Sequence, residues 1–185
     1  TGTTPRRDGF QLSTPATPIS GADLPHVFTS WDIFGFGGRA EINGDCFIFD
    51  DTGTFEAISV ADALVDAGAK VTMVSRYDSM GAKIAFPAAT VEASKERLMS
   101  GNFDFIGGHY VQGITPDEVL IGVPFTERRR AIPAGTVVLV TYNHPNREIA
   151  EYAPAGTNVH LIGDVTGTNS IMAAIHQAAA TARAI

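Results

Sequence analysis

The sequence has a single cysteine, Cys46, among 185 residues. One thiol excludes an intrachain disulfide, a CxxC redox pair and an iron–sulfur site ligated only by cysteines of this chain. Cys46 lies in an apolar stretch, where cysteine behaves as a small hydrophobic residue. We therefore expect it in the core rather than at a reactive site.

Long apolar runs and basic runs are also missing. No stretch of about 18 apolar residues occurs, so the sequence predicts no membrane-spanning helix. The net charge is −7, which argues against a nucleic-acid partner because no basic stripe is available to neutralise phosphates. The basic triplet at residues 128–130 follows Glu127 and alternates sides on a predicted strand. A solvated strand edge is favoured there over a docking patch.

The N-terminal segment, TGTTPRRDGF, has no initiating methionine and no basic-then-apolar secretion signal. It is typical of a strand end that runs into a turn with glycine and proline. We expect the chain to be a fragment of a longer cytoplasmic protein.

What is present favours an α/β protein. Hydrophobic residues make up 44% of the chain, which suffices for a core. The 19 glycines and 10 prolines indicate many turns rather than a helical bundle. We expect one domain or two closely joined halves.

A strand, a helix and a second strand are predicted between residues 45 and 75. Residues 45–50 (DCFIFD) contain a continuous apolar run, typical of a strand covered on both faces. In residues 55–67 the apolar positions fall on one helical face, and Gly68 follows as a C-terminal cap. Residues 70–75 (KVTMVS) predict the second strand. This βαβ unit should have a right-handed crossover.

Further elements follow the βαβ unit. A helix with its own terminal glycine is predicted for residues 89–101, and three later segments alternate like antiparallel strands, which indicates a small second sheet. The C-terminal part predicts a buried strand, a short helix, another strand and a closing alanine-rich helix. The antiparallel segments are 104–114, 118–123 and 126–132, and the C-terminal elements are 135–142, 145–153, 158–164 and 170–184.

The turn after the first predicted strand differs from a dinucleotide-binding turn. Dinucleotide-binding turns follow the pattern GxGxxG/A. When this pattern is aligned on the predicted helix, its three glycine positions are occupied by Thr52, Thr54 and Ala57. A threonine at the second position brings a branched side chain where a diphosphate approaches the backbone. The carboxylates at 50–51 add repulsion, although Gly53 restores part of the turn geometry. We expect a Rossmann architecture whose pyridine-nucleotide binding is weakened or lost.

Two further positions are candidate contacts to a nucleotide. Arg76, at the end of the second strand, stands where a 2′-phosphate of NADP could be met, and a solvent-facing arginine is the alternative. Gly163 and Asp164 end a predicted strand, so the backbone could approach a ligand while the carboxylate accepts hydrogen bonds from sugar or ribityl hydroxyls. The helix that follows would offer free N–H groups to a pyrophosphate. The alternative is an aspartate that caps a loop or helix.

Three short segments resemble, in their order, the two-dinucleotide-domain flavoproteins. Residues 1–7 (TGTTPRR) resemble their ATG-type strand end, residues 137–146 (VVLVTYNHPN) their later strand, and residues 159–164 (VHLIGD) their flavin-site Gly-Asp. Residues 56–76 are similar to the carboxy-terminal half of the trimethylamine dehydrogenase and 2,4-dienoyl-CoA reductase family, which are NADH:flavin oxidoreductases of the old-yellow-enzyme type. The YNHPN turn departs from the family's GRxPN at its first two positions, and the flavin contact of that loop is left open.

The resemblance implies a Rossmann-like FAD/NAD(P)-binding fold with a parallel sheet and a small antiparallel sheet. It assigns residues 1–40 and 133–185 to a remnant of the FAD/ADP-binding half and residues 41–132 to an inserted NAD(P)-binding-like half. The cofactor-binding candidates that it implies are Thr1, Gly2, Gly163 and Asp164 for FAD or ADP, and Gly53, Thr54 and Arg76 for NAD(P)H.

The family's reactive centre is implied to lie outside this chain. The FMN-carrying barrel, the cysteine-ligated 4Fe–4S cluster and the first glycine-rich βα turn would all be upstream. We therefore expect no catalytic and no metal-binding residue here. The expected partner is the amino-terminal FMN barrel of the same enzyme, and a homodimer is a further candidate assembly.

Three functions remain open from the sequence. The leading hypothesis is the carboxy-terminal nucleotide-binding region of an FMN-dependent NADH:flavin oxidoreductase or amine dehydrogenase. The second is an NAD(P)H-binding reductase domain like that of 2,4-dienoyl-CoA reductases, which the Thr52 and Thr54 turn argues against. The third is a structural or dimerisation module without a ligand.

Overall fold

A computed structural model describes residues 2–36, 38, 40–84, 88–167 and 170–185, without the side chains of Ala88 and Thr90. Residue contacts divide the chain into two compact units. The smaller unit consists of Thr1–Pro5 and Asn143–Ile185, and the larger unit is Arg6–Tyr142. Each unit is built around its own strands and helices.

Short strands and helices alternate along the chain. The strands are β1 (Thr3–Thr4), β2 (Val27–Phe28), β3 (Cys46–Asp50), β4 (Val71–Ser75), β5 (Phe103–Ile106), β6 (Tyr110–Ile114), β7 (Glu118–Gly122), β8 (Arg129–Pro133), β9 (Thr136–Val140) and β10 (His144–Pro145). The helices are α1 (Ser30–Phe34), α2 (Phe55–Asp66), α3 (Ala88–Met99), α4 (Glu148–Glu151) and α5 (Ile171–Ala184), and a 3₁₀ turn spans Gly163–Thr166.

A five-stranded parallel sheet in the order β2-β9-β3-β4-β5 forms the centre of the larger unit. Every residue of β3 and of β9 is buried, as expected of inner strands covered on both faces. α2 packs Ile58, Ala61 and Leu64 into the core beside β3. The predicted βαβ unit and the predicted place of Cys46, which is 1% exposed, are confirmed.

A three-stranded antiparallel sheet, β6-β7-β8, accompanies the parallel sheet. The prediction of one antiparallel strand over residues 104–114 is wrong. The segment divides at two glycines, so that β5 pairs parallel with β4 while β6 pairs antiparallel with β7. Gly108 has a φ of +71°, and a Cβ on Gly107 would lie 2.8 Å from the carbonyl oxygen of Tyr77. The chain can therefore change sheets at this point only with small residues.

The segment before β3 mixes strand and helix. Residues 26–34 contain the two-residue strand β2 and then α1. Asp32 accepts a hydrogen bond from the backbone N–H of Thr29 at 2.7 Å, which closes a capping box at the start of α1. The sheet therefore receives only a short edge strand here.

The smaller unit has little regular structure besides α5. β1 and β10 pair antiparallel, with Thr3 opposite Pro145 and Thr4 opposite His144. The prediction of a strand over residues 158–164 is wrong, because residues 158–162 are neither helix nor strand and a 3₁₀ turn follows. This apolar segment has no paired strand among the described residues, and Val159 is 45% exposed. Alternating apolar and polar residues do not form a strand unless a neighbouring strand accepts and donates the backbone hydrogen bonds.

The sequence-based division into cofactor halves stays a prediction. β2 and β9, which it places in the FAD/ADP-binding remnant, hydrogen-bond within the same sheet as β3 and β4. The two compact units therefore have other bounds than the two predicted halves. Among the helices of the described residues, none has both the length and the apolar composition to cross a membrane.

Two glycines in the left-handed region form a matched pair for testing the packing of the larger unit. A Cβ on Gly68 (φ +84°) would meet no atom within 4 Å, so Gly68→Ala should lower the free energy of unfolding only by backbone strain, about 1 kcal/mol. A Cβ on Gly21 (φ +80°) would lie 2.2 Å from the carbonyl oxygen of Ile114. Gly21→Ala should therefore cost at least about 1 kcal/mol more, since the backbone must move. Denaturant unfolding of both variants measures the difference, and equal losses would contradict it.

Candidate functional site

A cavity of about 390 Å³ lies within the smaller unit. Gly2 and Asp164, two of the residues implied by the family resemblance to bind FAD or ADP, both line it, and so does Arg147. The apolar part of its wall consists of Ile149, Val159, Leu161, Ile162 and Val165. The fold therefore brings the two distant sequence segments to one cavity.

Strand pairing positions Gly2 at this cavity. The backbone N–H of Asn146 donates to the carbonyl oxygen of Gly2 at 2.8 Å, next to the β1–β10 pair. Gly2 has a φ of +95°, and a Cβ there would meet nothing within 4 Å. The main chain is thus open to the cavity at this residue. Thr1, the other candidate of this segment, lies outside the described residues.

Gly163 and Asp164 begin the 3₁₀ turn, which Gln177 of α5 holds in place. The backbone N–H of Gly163 donates to Gln177 Oε1 at 2.7 Å, and Gln177 Nε2 donates to Thr166 Oγ1 at 3.0 Å. Gly163 has a φ of +74°, so glycine is favoured there. The carboxylate of Asp164 is exposed and has no side-chain hydrogen bond to any described residue. It is free to accept hydrogen bonds from a ligand.

Arg147 also lines this cavity, although no sequence pattern singled it out. Its Nε donates to the carbonyl oxygen of Val165 at 3.1 Å, which ties the guanidinium to the turn that carries Asp164. Within the described part of the chain, no carboxylate forms an ion pair with Arg147. The signal available in the sequence was an arginine directly after the PN dipeptide at residues 145–146. Only the contact with Val165 gives that arginine a place at the cavity.

The groups around this cavity fit an adenine nucleotide. A guanidinium binds phosphate through charge-assisted hydrogen bonds, a carboxylate accepts hydrogen bonds from ribose hydroxyls, and an apolar wall receives a planar ring. The volume of about 390 Å³ is near the lower end of ligand pockets, which span roughly 300–1,000 Å³.

The turn after β3, which stands where a dinucleotide-binding fold would hold phosphate, is occupied by one of the protein's own carboxylates. Asp50 Oδ1 accepts hydrogen bonds from the backbone N–H groups of Thr52 at 3.0 Å and Gly53 at 2.7 Å. Its Oδ2 accepts from Ser75 Oγ at 3.2 Å. Burial raises the pKa of Asp50, and the hydrogen bonds from Gly53 and Thr52 oppose this. In dinucleotide-binding folds the N–H groups of this turn face a phosphate, but here two of them bind Asp50.

The ring of Tyr77 covers Gly53. A Cβ on Gly53 would lie 2.8 Å from Tyr77 Cε2, and the φ of Gly53 is +68°. Thr54 precedes α2 without capping it by a side-chain hydrogen bond, and its hydroxyl lies 2.9 Å from that of Thr52. Burial and a hydrogen bond with Tyr142 raise the pKa of Tyr77 to about 12. The turn is therefore closed by a neutral phenol as well as by Asp50.

Arg76 pairs with the buried Asp51. Its Nε lies 3.0 Å from Asp51 Oδ1 and donates to the carbonyl oxygen of Asp51 at 2.8 Å. Its guanidinium stacks 4.3 Å from the ring centre of Tyr77 and also bonds the Tyr77 hydroxyl. The side chain is only 24% exposed, so the alternative of a solvent-facing arginine does not describe it. A 2′-phosphate would have to compete with Asp51 for this guanidinium.

Comparison with models of protein families finds no match, and comparison with curated proteins finds none either. Solved structures do match. The chain is 27% identical to 6-hydroxypseudooxynicotine amine oxidase from Pseudomonas geniculata N1, with a TM-score of 0.80 over 96% of this chain and 27% of that one. It is 24% identical to histamine dehydrogenase from Rhizobium sp. 4-9, with a TM-score of 0.79 over 99% of this chain and 29% of that one.

A third match is 2-naphthoyl-CoA reductase, at 20% identity and a TM-score of 0.73 over 95% of this chain and 24% of that one. This chain thus spans about a quarter of the length of these three structures. Other reductases, among them an NAD-dependent persulfide reductase from A. fulgidus, match at TM-scores of 0.54 to 0.61.

These neighbours confirm the predicted fold class. The chain has the Rossmann-type fold of FAD/NAD(P)-binding reductases, with a parallel five-stranded sheet and small antiparallel sheets. An amine oxidase, an amine dehydrogenase and a CoA-thioester reductase support the resemblance to the trimethylamine dehydrogenase and 2,4-dienoyl-CoA reductase family. They agree with a nucleotide-binding part of an oxidoreductase.

Asp51 should make stability depend on pH. Burial raises the pKa of Asp51 from 3.8 to about 6. A hydrogen bond from the backbone N–H of Leu12 and the positive charge of Arg76 lower this pKa, but burial has the larger effect. The folded state holds this proton more tightly than the unfolded state, so the free energy of unfolding falls as pH rises from about 4 to 6. The loss from this group is about 3 kcal/mol, at about 1.4 kcal/mol for each pH unit.

The variant Asp51→Asn lacks this titration. Its free energy of unfolding relative to the wild type should therefore rise by about 3 kcal/mol between pH 4 and 7. Denaturant unfolding at pH 4, 5, 6 and 7 measures it. Asp117→Asn, at an exposed position of the β6–β7 hairpin, is the control and should show a constant difference. A constant difference for Asp51→Asn too would contradict a raised pKa.

Proposed function

We propose that this chain is the nucleotide-binding region of an FMN-dependent NADH:flavin oxidoreductase or amine dehydrogenase of the trimethylamine dehydrogenase and 2,4-dienoyl-CoA reductase type. Its smaller unit binds ADP or the ADP part of FAD. The observation that carries the proposal is the cavity that Gly2 and Asp164 share with Arg147. Three oxidoreductases whose structures match nearly the whole chain support it.

Each group of the cavity has a distinct role in this proposal. Arg147 binds phosphate oxygens, and the carboxylate of Asp164 accepts hydrogen bonds from sugar hydroxyls. Gly2 leaves room for the ligand because it has no side chain. A bound flavin would supply the redox chemistry, while this chain holds and orients it. No residue of the chain is proposed as a catalytic group, and the FMN barrel of the same enzyme is the proposed partner.

The larger unit is proposed to have kept the Rossmann architecture with little or no pyridine-nucleotide binding. Asp50 occupies the amides of Thr52 and Gly53, and Tyr77 lies over Gly53. A dinucleotide would have to displace a buried carboxylate and place its diphosphate beside the charges of Asp50 and Asp51. Electrons would then leave the parent enzyme by a route other than NAD(P)H bound at this turn.

ADP should raise the melting temperature of the chain, because a ligand that binds only the folded state stabilises it by mass action. FAD should do the same if the cavity accepts its ADP part. Asp164→Ala should weaken ADP binding by about tenfold or more, since it removes the acceptor for the sugar hydroxyls. Glu151→Gln removes a charge from α4 in the same unit and is the matched control. Calorimetric titration with ADP measures the affinities.

A chain whose melting temperature is unchanged by ADP and FAD at millimolar concentration would favour the ligand-free structural module instead. Equal losses of affinity in Asp164→Ala and Glu151→Gln would place the binding site elsewhere. Both results leave the Rossmann fold untouched.

NADPH should not bind the turn at Thr52–Thr54 with micromolar affinity. The test is a titration followed by the fluorescence of Trp31 and by calorimetry. Micromolar binding that Arg76→Gln weakens, while Arg97→Gln does not, would favour the NAD(P)H-binding reductase domain. Arg97 is the control because its guanidinium forms an ion pair with Asp62 on the helical surface, much as that of Arg76 does with Asp51.

A further inference from the structure

A second cavity, of about 240 Å³, lies in the larger unit and is lined by three arginines, a histidine and two apolar residues. Its walls are His109, Arg128, Arg129 and Arg130, with Ile121 and Val123 between them. This volume is below that of pockets for drug-sized ligands, roughly 300–1,000 Å³. The cavity suits a compact ligand of a few heavy atoms.

The arginines of this cavity are less neutralised than six other cations of the chain. Six ion pairs join Arg6, Arg7, Lys70, Arg76, Lys95 and Arg97 each to a carboxylate within 3.0 Å. Arg129 has only the exposed Glu127 at 3.6 Å. No carboxylate of the described residues lies within 4 Å of the guanidinium nitrogens of Arg128 or Arg130. Two adjacent arginines without an ion pair, Arg128 and Arg130, thus flank the weakly paired Arg129 in a chain of net charge −7.

The side chains of Arg129 and His109 are held in place by the backbone. Arg129 Nη1 donates to the carbonyl oxygens of Thr126 and Arg128, each at 2.9 Å, which fixes it against the β7–β8 turn. His109 Nδ1 lies 2.7 Å from the carbonyl oxygen of Gly107, so this nitrogen carries the proton and Nε2 is the other polar atom of the ring. Preorganised donors lose less entropy when a ligand binds.

The cavity borders the carboxyl end of the parallel sheet. The backbone N–H of His109 donates to the carbonyl oxygen of Ser75, the last residue of β4, at 3.0 Å. Ligands of open α/β sheets bind outside the carboxyl ends of the strands. This cavity lies at that edge without using the amides of Thr52 and Gly53, which Asp50 occupies.

We propose that His109, Arg128, Arg129 and Arg130 form a binding site for a compact oxyanion with two negative charges, such as inorganic phosphate or the phosphate group of a small monoester. Planar guanidinium groups bind such oxyanions with paired hydrogen bonds. Val123, on the apolar side of the cavity, would contact the carbon part of an ester. This site does not depend on ADP binding in the smaller unit.

The test titrates the full chain with inorganic phosphate at low ionic strength and follows the arginine side-chain resonances by NMR and the heat by calorimetry. Saturable binding below about 10 mM is expected. The double variant Arg128→Gln/Arg130→Gln should bind phosphate at least about tenfold more weakly. Lys95→Gln/Arg183→Gln removes two positive charges from α3 and α5, away from this cavity, and should bind phosphate as the wild type does. Methyl phosphate in place of phosphate shows whether an ester fits.

The outcomes separate this site from that of the smaller unit. Absence of saturation in the wild type, or equal weakening in the two double variants, overturns the proposal. Phosphate binding that survives in Asp164→Ala, together with ADP binding that survives in Arg128→Gln/Arg130→Gln, establishes two independent sites. Loss of phosphate binding in Asp164→Ala but not in Arg128→Gln/Arg130→Gln also overturns it. An unchanged melting temperature of the double variant confirms that the exposed arginines can be replaced without unfolding.

Discussion

The buried carboxylate of Asp50 binds the amides of Thr52 and Gly53 where the central strand of the parallel sheet ends. Taking a carboxylate out of water costs several kcal/mol unless new hydrogen bonds replace those of water. Two amides and the hydroxyls of Thr52 and Ser75 supply them here. The turn that begins α2 depends on this contact, since removing the carboxylate would leave two buried donors unpaired. The same contact withholds both amides from a phosphate.

The position of Asp50 also determines what the residues after β4 contact. Asp50 stands opposite Ser75 in the register of β3 and β4, so the residues after Ser75 pass directly beside the turn. Arg76 then balances the second buried carboxylate, Asp51, and Tyr77 closes over Gly53. Gly53 tolerates this cover because its positive φ and missing side chain leave room for the ring. One buried charge thus organises the ends of two strands and the start of a helix.

Hydrophobic periodicity predicted the larger unit well because β3, α2 and β4 lie close together in sequence and bury each other. It failed at residues 104–114 and 158–164, where the decisive factor is which strand lies alongside. Two glycines send the first segment to two sheets, and the second finds no paired strand among the described residues. The placement of Gly2 and Asp164 at one cavity was implied by resemblance. Arg147 and Gln177 act through contacts with Val165 and Gly163 that no local pattern encodes.

The turn after β3 and the proposed nucleotide cavity differ in whether protein atoms already engage their polar groups. Folded proteins satisfy nearly all their buried polar groups, and the buried carboxylate of Asp50 follows this rule. Asp50 and Arg76 are engaged by protein atoms, whereas Asp164 accepts no side-chain hydrogen bond from the described residues. Both places belong to a chain with a Rossmann-type fold, so the fold alone does not tell which of them is open to a nucleotide. The pattern of hydrogen bonds does, because an anion-binding turn already bonded to Asp50 must give up those bonds before it gains any from a nucleotide.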